Sequence, residues 1–180
     1  MKNLVFFDLE TQKSDREVGG WEHKRDMQLS VAVTFSTADN HYHVYLEEDV
    51  NALIDELKGA DKIIGFNIIQ FDYEVLSRYV SVNFLPSCSL DLMEAVVRHL
   101  GHRVSLDNLA QATLGSKKLC SSGLDAVRLF KEGKIFDLLE YCQQDVKITK
   151  ELFEYGVKNG FVFFTDHDGN KVKIPVKWKN

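Results

Sequence analysis

Leu4-Val5-Phe6-Phe7-Asp8-Leu9-Glu10-Thr11 is the stretch from which the rest of the chain is read. From Lys2 to Asp8 the run is apolar on both faces, with Leu4 and Phe6 alternating with Val5 and Phe7. That is the pattern of a central strand covered on both sides. Asp8 and Glu10 then follow on the face that begins with Leu4 and Phe6. Strand period two places both carboxylates on that face at a Cα separation of roughly 6–7 Å, within reach of one cation. A strand that has simply arrived at solvent would read the same way, so the pair alone leaves both readings open.

Outward from this strand, residues 11–27 are polar, contain Gly19-Gly20-Trp21, and read as a long loop. Residues 29–36 and 42–46 read as two further strands, with Asp39-Asn40 as the turn between them. From Glu48, Val50, Leu53, Ile54 and Leu57 recur at helical spacing up to Gly59, which suits a C-cap. Residues 62–66 form a fourth short strand and residues 72–79 a short helix, and a fifth strand lies near residues 88–90. Helical periodicity follows over residues 92–100, 105–114, 124–131 and 135–158. Ser105 and Ser122 stand where the N-caps of the second and third of these helices belong. Residues 161–164 and 172–174, joined by Asp168-Gly169-Asn170, read as a terminal hairpin. Strands early and helices late describe an α/β chain, with a central mixed sheet of about five strands flanked by helices. Residues 1–180 are expected to form a single domain.

Two further places carry chemistry. Gly65-Phe66-Asn67 precedes Phe71-Asp72, where the glycine permits close backbone approach and Asn67 offers both donors and acceptors. Asp72 taken alone reads first as a helix cap, worth about 1 kcal/mol, and the preceding Gly65-Phe66-Asn67 shifts it toward a ligand. On the long helix, Ile135, Leu138, Cys142, Val146, Thr149, Leu152 and Phe153 form the apolar arc. Asp145 falls inside that arc and Tyr141, one turn before it, lies at the edge. A mid-helix aspartate so placed is costly unless it is partnered. The partner is either a neutral hydrogen-bonding group in the core or a cation.

Composition sets the frame. Hydrophobic residues are 44% of the 180 and charged residues 27%, and the net charge is -5, from 22 basic and 27 acidic side chains. No apolar run is long enough for a membrane span, and no signal-peptide pattern opens the chain. Cys88, Cys120 and Cys142 are odd in number and widely spaced, which argues against a disulfide framework and suits a reducing cytoplasm. An acidic balance disfavours a generic duplex-coating protein. It does not disfavour a nuclease, because divalent ions can supply the positive charge. His41 and His43 share a strand face but have no cysteine pair for zinc. Basic groups at Arg98, His99, His102 and Arg103, at Lys117-Lys118, and at Lys131 and Lys134 read as solvated helix ends or as phosphate contacts. Lys13, Arg16, His23, Lys24 and Arg25, in the loop leaving Glu10, are better placed to meet a substrate.

Asp8-Leu9-Glu10, Asn67 with Phe71-Asp72, and Tyr141-x-x-x-Asp145 together resemble the three motifs of the DEDD superfamily of 3′–5′ exonucleases, with a ribonuclease H-like fold. Tyrosine four residues before the last aspartate resembles the tyrosine subgroup. Ile64-Gly65-Phe66-Asn67 to Phe71-Asp72 looks most like the proofreading domain of family B DNA polymerases. The wording around Gly19-Gly20-Trp21, Ser105-Leu106-Asp107-Asn108-Leu109-Ala110 and Glu140-Tyr141-Cys142 also resembles small bacterial exonucleases of that kind. The resemblance implies two divalent cations, Mg²⁺ or Mn²⁺, roughly 3.5–4 Å apart and held by Asp8, Glu10, Asp72 and Asp145. It implies that Tyr141 orients the attacking water, and that Leu9, Thr11, Asn67 and Phe71 meet the terminal nucleotide of a single strand with a free 3′ end. The polymerase-like second motif favours DNA over RNA. With no polymerase region in its length, such a chain would act alone or as a subunit. A non-catalytic module gripping strand ends and an endonuclease on the same fold are the alternative expectations.

Overall fold

The computed structural model describes residues 2–83, 85–116 and 123–179. Lys117, Lys118, Cys120 and Ser122, weighed above, lie outside the described residues. In chain order the elements are β1 (Leu4–Thr11), α1 (Asp15–Val18), β2 (Leu29–Ser36), β3 (His41–Leu46), α2 (Val50–Gly59), β4 (Lys62–Gly65), α3 (Asp72–Leu76) and β5 (Ser89–Asp91). They are followed by α4 (Leu92–Leu100), α5 (Leu106–Leu114), α6 (Gly123–Lys131), α7 (Ile135–Asn159), β6 (Phe161–Thr165) and β7 (Lys171–Pro175).

The first five strands form one mixed sheet in the order β3-β2-β1-β4-β5. β1 lies at its centre, antiparallel to β2 and parallel to β4. Its side chains alternate between two cores. Leu4 and Phe6 join Val31, Val33 and Ile64 beneath α4 to α7 and the β6–β7 hairpin. Val5, Phe7 and Leu9 join Ala32 and Ile63 beneath α2 and α3. Phe6 and Phe7 are 1% and 0% exposed, so each contributes on the order of 1.5–3 kcal/mol to its own face. The expected α/β architecture, with a central five-stranded mixed sheet and flanking helices, is the one observed.

The two ladders on β1 have different lengths. β2 pairs with β1 from Val5 through Thr11, with an irregularity between Glu10 and Thr11. β4 pairs only with Leu4, Val5 and Phe6. Beyond Phe6, therefore, β1 overhangs on one side, and Asp8, Leu9 and Glu10 lie in that overhang. The strand ends three residues later than the apolar run alone indicated, because β2 continues to pair where the side chains have become polar.

The loop expected at residues 11–27 is partly helical. Ser14 opens α1, and its N–H donates to the Glu17 carboxylate at 3.0 Å, half of a capping box. Gly19 closes the helix at φ 91°, a left-handed conformation that suits glycine, and a 3-10 turn over Trp21–Asp26 follows. The helix expected over residues 72–79 is shorter, as α3 ends at Leu76. The terminal hairpin is docked on α5 by Asn108, whose Nδ2 donates to the Thr165 carbonyl and whose Oδ1 accepts from its N–H.

Gly65, at the end of β4, is where that strand leaves β1. A Cβ there would overlap the Ile68 side chain and come within 2.9 Å of the Phe7 carbonyl oxygen. Gly65→Ala is expected to destabilise the fold by about 1–3 kcal/mol, seen as a lower urea midpoint at unchanged slope. An unchanged midpoint would show that the chain does not need this approach.

Candidate metal centre

The C-terminal ends of the parallel strands of an open α/β sheet are where ligands collect. Here β1 delivers Asp8 and Glu10, the segment after β4 delivers Asn67, and β5 ends in Asp91. α7 crosses the same region and brings Tyr141, Cys142 and Asp145. One oxygen each from Asp8, Glu10 and Asp145 lie within 4.8 Å of one another. Asp145 is 8% exposed, so the aspartate that the helical period placed on the apolar arc is buried at the sheet.

Asp72 stands outside that three-carboxylate cluster, yet within electrostatic reach of Asp8. It is 2% exposed and its Oδ1 accepts from the Leu9 N–H at 3.1 Å. That amide belongs to the β1 overhang, where β4 supplies no partner, so the carboxylate takes the place of a missing strand carbonyl. Leu9 faces two ways. Strand alternation turns its side chain into the core, 3% exposed, and its contribution to the site is the backbone N–H. Thr11 is also engaged structurally, with Oγ1 donating to the Lys13 carbonyl at 3.0 Å.

The electrostatics favour a cation. Burial, Asp72, Glu10 and Asp145, in that order, push the Asp8 carboxyl well above the ordinary carboxylate range. Among the causes, the Cys142 thiol alone favours the ionised form, with Sγ 3.6 Å from Oδ2. Burial also raises Asp72 to about 8, helped by Asp91 and opposed by its own N–H and that of Leu9. Tyr141 is pushed upward by burial and then by Glu10, Asp145 and Asp8. Its hydroxyl therefore stays protonated and remains a hydrogen-bond donor. Hard oxygen donors gathered against their mutual repulsion suit a divalent ion such as Mg²⁺ or Mn²⁺.

Sequence reasoning missed Asp91. It is 3% exposed, and one carboxylate serves two structures. Oδ1 accepts from Asn67 N at 2.8 Å and Met93 N at 3.0 Å, while Oδ2 accepts from Ile69 N at 3.1 Å. It thereby caps α4 and ties down the segment between β4 and α3. Asn67 is fixed at φ 67°, a left-handed conformation that asparagine tolerates. Its Oδ1 accepts from Arg103 at 2.9 Å. Phe71 is half-buried and meets the Trp21 ring edge-on at 6.1 Å. An aspartate before an apolar helix was the available signal for the cap, but its contacts to residues 67 and 69 leave no trace in local spacing.

A family model of the RNase_H superfamily matches residues 5–157. The chain belongs to this superfamily. Membership supports a nuclease, and the acidic cluster is of the kind that can bind metal. Among solved structures, the family B DNA polymerase of the hyperthermophilic archaeon Pyrobaculum calidifontis matches with a TM-score of 0.66 at 18% identity. The match covers 87% of this chain and 24% of the polymerase, so this chain spans about a quarter of that protein's length. At such identity the likeness concerns the fold. No curated protein matches by sequence. No helix among the described residues is long and apolar enough to cross a membrane.

The ionisation of Asp72 gives a test with a fixed sign. Its ordinary value is 3.8 and its folded value about 8. Between the two, the folded chain keeps a proton that the unfolded chain has released, so stability falls as pH rises through the window and levels off above it. In EDTA, Asp72→Asn is expected to raise the unfolding temperature at pH 8 by ~2–4 °C and to flatten the decline between pH 5 and 8. Thermal unfolding followed by circular dichroism at several pH values checks this. A variant less stable than the parent at pH 8 would show that the ionised carboxylate is favoured in the fold.

Proposed function

We propose that the chain is a metal-dependent 3′–5′ exonuclease that hydrolyses the terminal phosphodiester of a single strand and releases nucleoside 5′-monophosphates. The observation that carries this reading is the convergence of Asp8, Glu10 and Asp145 from β1 and α7, with Tyr141 one helical turn from Asp145. DNA is favoured over RNA by the polymerase-like second motif alone. The whole chain acts as one unit in this reading, because the β6–β7 hairpin shares its core with β1 and α7.

Asp8, Glu10 and Asp145 would hold one cation, and Asp72 would complete a second position beside Asp8. When bound, Mg²⁺ or Mn²⁺ supplies an activated water and neutralises charge on the phosphate and the leaving oxygen. The chain's own residues do the positioning. Tyr141 is a donor and not a base, so in this reading it orients an oxygen by hydrogen bonding, in keeping with the resemblance to the tyrosine subgroup of the DEDD exonucleases. Asp72 holds the β1 overhang in line through Leu9. Asn67, fixed by Asp91, and Phe71, at the wall of the adjoining cavity, stand where a terminal nucleotide would lie. Thr11 lines the same cavity as Glu10.

Purified protein with Mn²⁺ or Mg²⁺ is expected to shorten 5′-labelled linear single-stranded DNA stepwise from its 3′ end, and EDTA is expected to stop it. Asp8→Ala and Asp145→Ala should each lower the rate by roughly 10²–10³-fold, the scale of losing one charge-stabilising group. Tyr141→Phe should retain more activity than either. Linear and circular DNA and RNA run side by side separate the alternatives. Cleavage of circles would identify an endonuclease, and intact linear strands in the presence of bound metal would leave a binding module.

A further inference from the structure

Beside the carboxylates runs a trough that extends beyond the residues placed around the terminal nucleotide. A cavity of about 380 Å³ is lined by Glu10, Thr11, Trp21 and Phe71, among others. A second, also about 380 Å³, lies among Trp21, Lys24, Gln70 and Phe71. A third, of about 450 Å³, continues along Asn67, Gln70, Arg98 and Arg103. Trp21 and Phe71 are common to the first two, and Asn67, Gln70 and Arg103 to the last two. The three therefore adjoin along one path, from Glu10 past an aromatic pair to Arg103, with Arg98 beyond it paired to Glu94 at 3.2 Å.

Trp21 is 59% exposed, a large apolar ring left in water and inclined at 61° to the Phe71 ring. Such a ring in a cavity wall is a stacking platform for a planar partner. Arg103 is exposed, but its placement is not loose. One terminal nitrogen donates to Asn67, which Asp91 holds in turn, and the other guanidinium donors remain available to an anion. Aromatic platform and fixed guanidinium in sequence along one groove match the alternation of base and phosphate in a nucleic-acid strand. The strand must be unpaired, because a duplex keeps its base faces stacked.

We propose that this trough carries the strand upstream of the 3′ end, an unpaired base stacking on Trp21, which rests against Phe71, and a phosphate on Arg103. This rests on the exonuclease reading for the polarity of the strand, with the 3′ end at Asp8 and Glu10.

The chain has two tryptophans, and Trp178 is 7% exposed, so quenching of tryptophan emission reports chiefly on Trp21. The test uses single-stranded thymidylates of two and eight nucleotides in EDTA, where hydrolysis cannot proceed. The octamer should quench emission, and Trp21→Phe should abolish the quench. By anisotropy of a labelled octamer, Trp21→Ala and Arg103→Ala should each weaken binding by about 10-fold. Trp21→Tyr should stay within about threefold of the parent, and the dinucleotide should be indifferent to Arg103→Ala. Unchanged octamer binding in Trp21→Ala and Arg103→Ala, with unfolding midpoints intact, overturns the proposal. So does equal quenching by a duplex or by polyglutamate of the same charge, which would make the trough a general polyanion surface. Failure of the nuclease reading is distinguishable. Intact strands in Mn²⁺ together with Trp21-dependent quenching would remove the chemistry and keep the path, whereas hydrolysis unaffected by either variant would do the reverse.

Discussion

The hydrogen bond from the Leu9 N–H to Asp72 lets the centre of the sheet be left open at one end. β4 accompanies β1 only as far as Phe6 and then turns away at Gly65. A buried strand amide with no partner costs free energy comparable to a lost hydrogen bond, about 1–3 kcal/mol. Asp72 meets that need from α3. By standing in for a strand it frees the space into which Asp8 and Glu10 project. The same bond brings a fourth carboxylate against Asp8, so local satisfaction of the backbone and crowding of negative charge arise from one contact.

That crowding is not relieved locally. Asp8 is opposed by burial and by three acidic neighbours, and Cys142 offers only a weak thiol donor in return. The arrangement persists because its members are fixed by elements with large apolar cores. β1 is packed on both faces, and α7 buries Leu138, Val146, Leu152 and Phe153 on either side of Tyr141 and Asp145. A few kcal/mol of repulsion is affordable against cores of that size. Sites that break a local rule in this way, held by packing elsewhere, are the ones expected to have a use.

Much of this was legible in the chain. Two-faced apolarity placed β1 at the centre, and the helical period of residues 135–158 put Asp145 where only a partnered carboxylate belongs. Both signals are periodic, and burial enforces the period. Leu9 shows how the period and the resemblance point to different parts of one residue. The period of two that paired Asp8 with Glu10 already assigned the Leu9 side chain to the opposite face, and the family resemblance assigned the residue to the terminal nucleotide. The helical part of residues 11–27 was encoded too, in Ser14 and Glu17 three positions apart, but polar composition masked a single turn of helix. Asp91 was not legible. Its partners at residues 67 and 69 are more than twenty positions away, and no local pattern specifies a contact closed by the sheet.

Asp91 also explains why the centre and the trough belong to one device. Its carboxylate fixes Asn67 in a left-handed conformation, and Asn67 in turn receives Arg103. The segment it restrains continues directly into Phe71, against which Trp21 rests, and Asp72, which holds Leu9. One buried side chain at the end of β5 thus sets the guanidinium, one wall of the aromatic pair and the strand overhang relative to one another. Loosening it would misplace both the aromatic and guanidinium groups of the trough and the overhang that carries Asp8 and Glu10. The relative placement of all these groups therefore depends on a residue outside the three-carboxylate cluster.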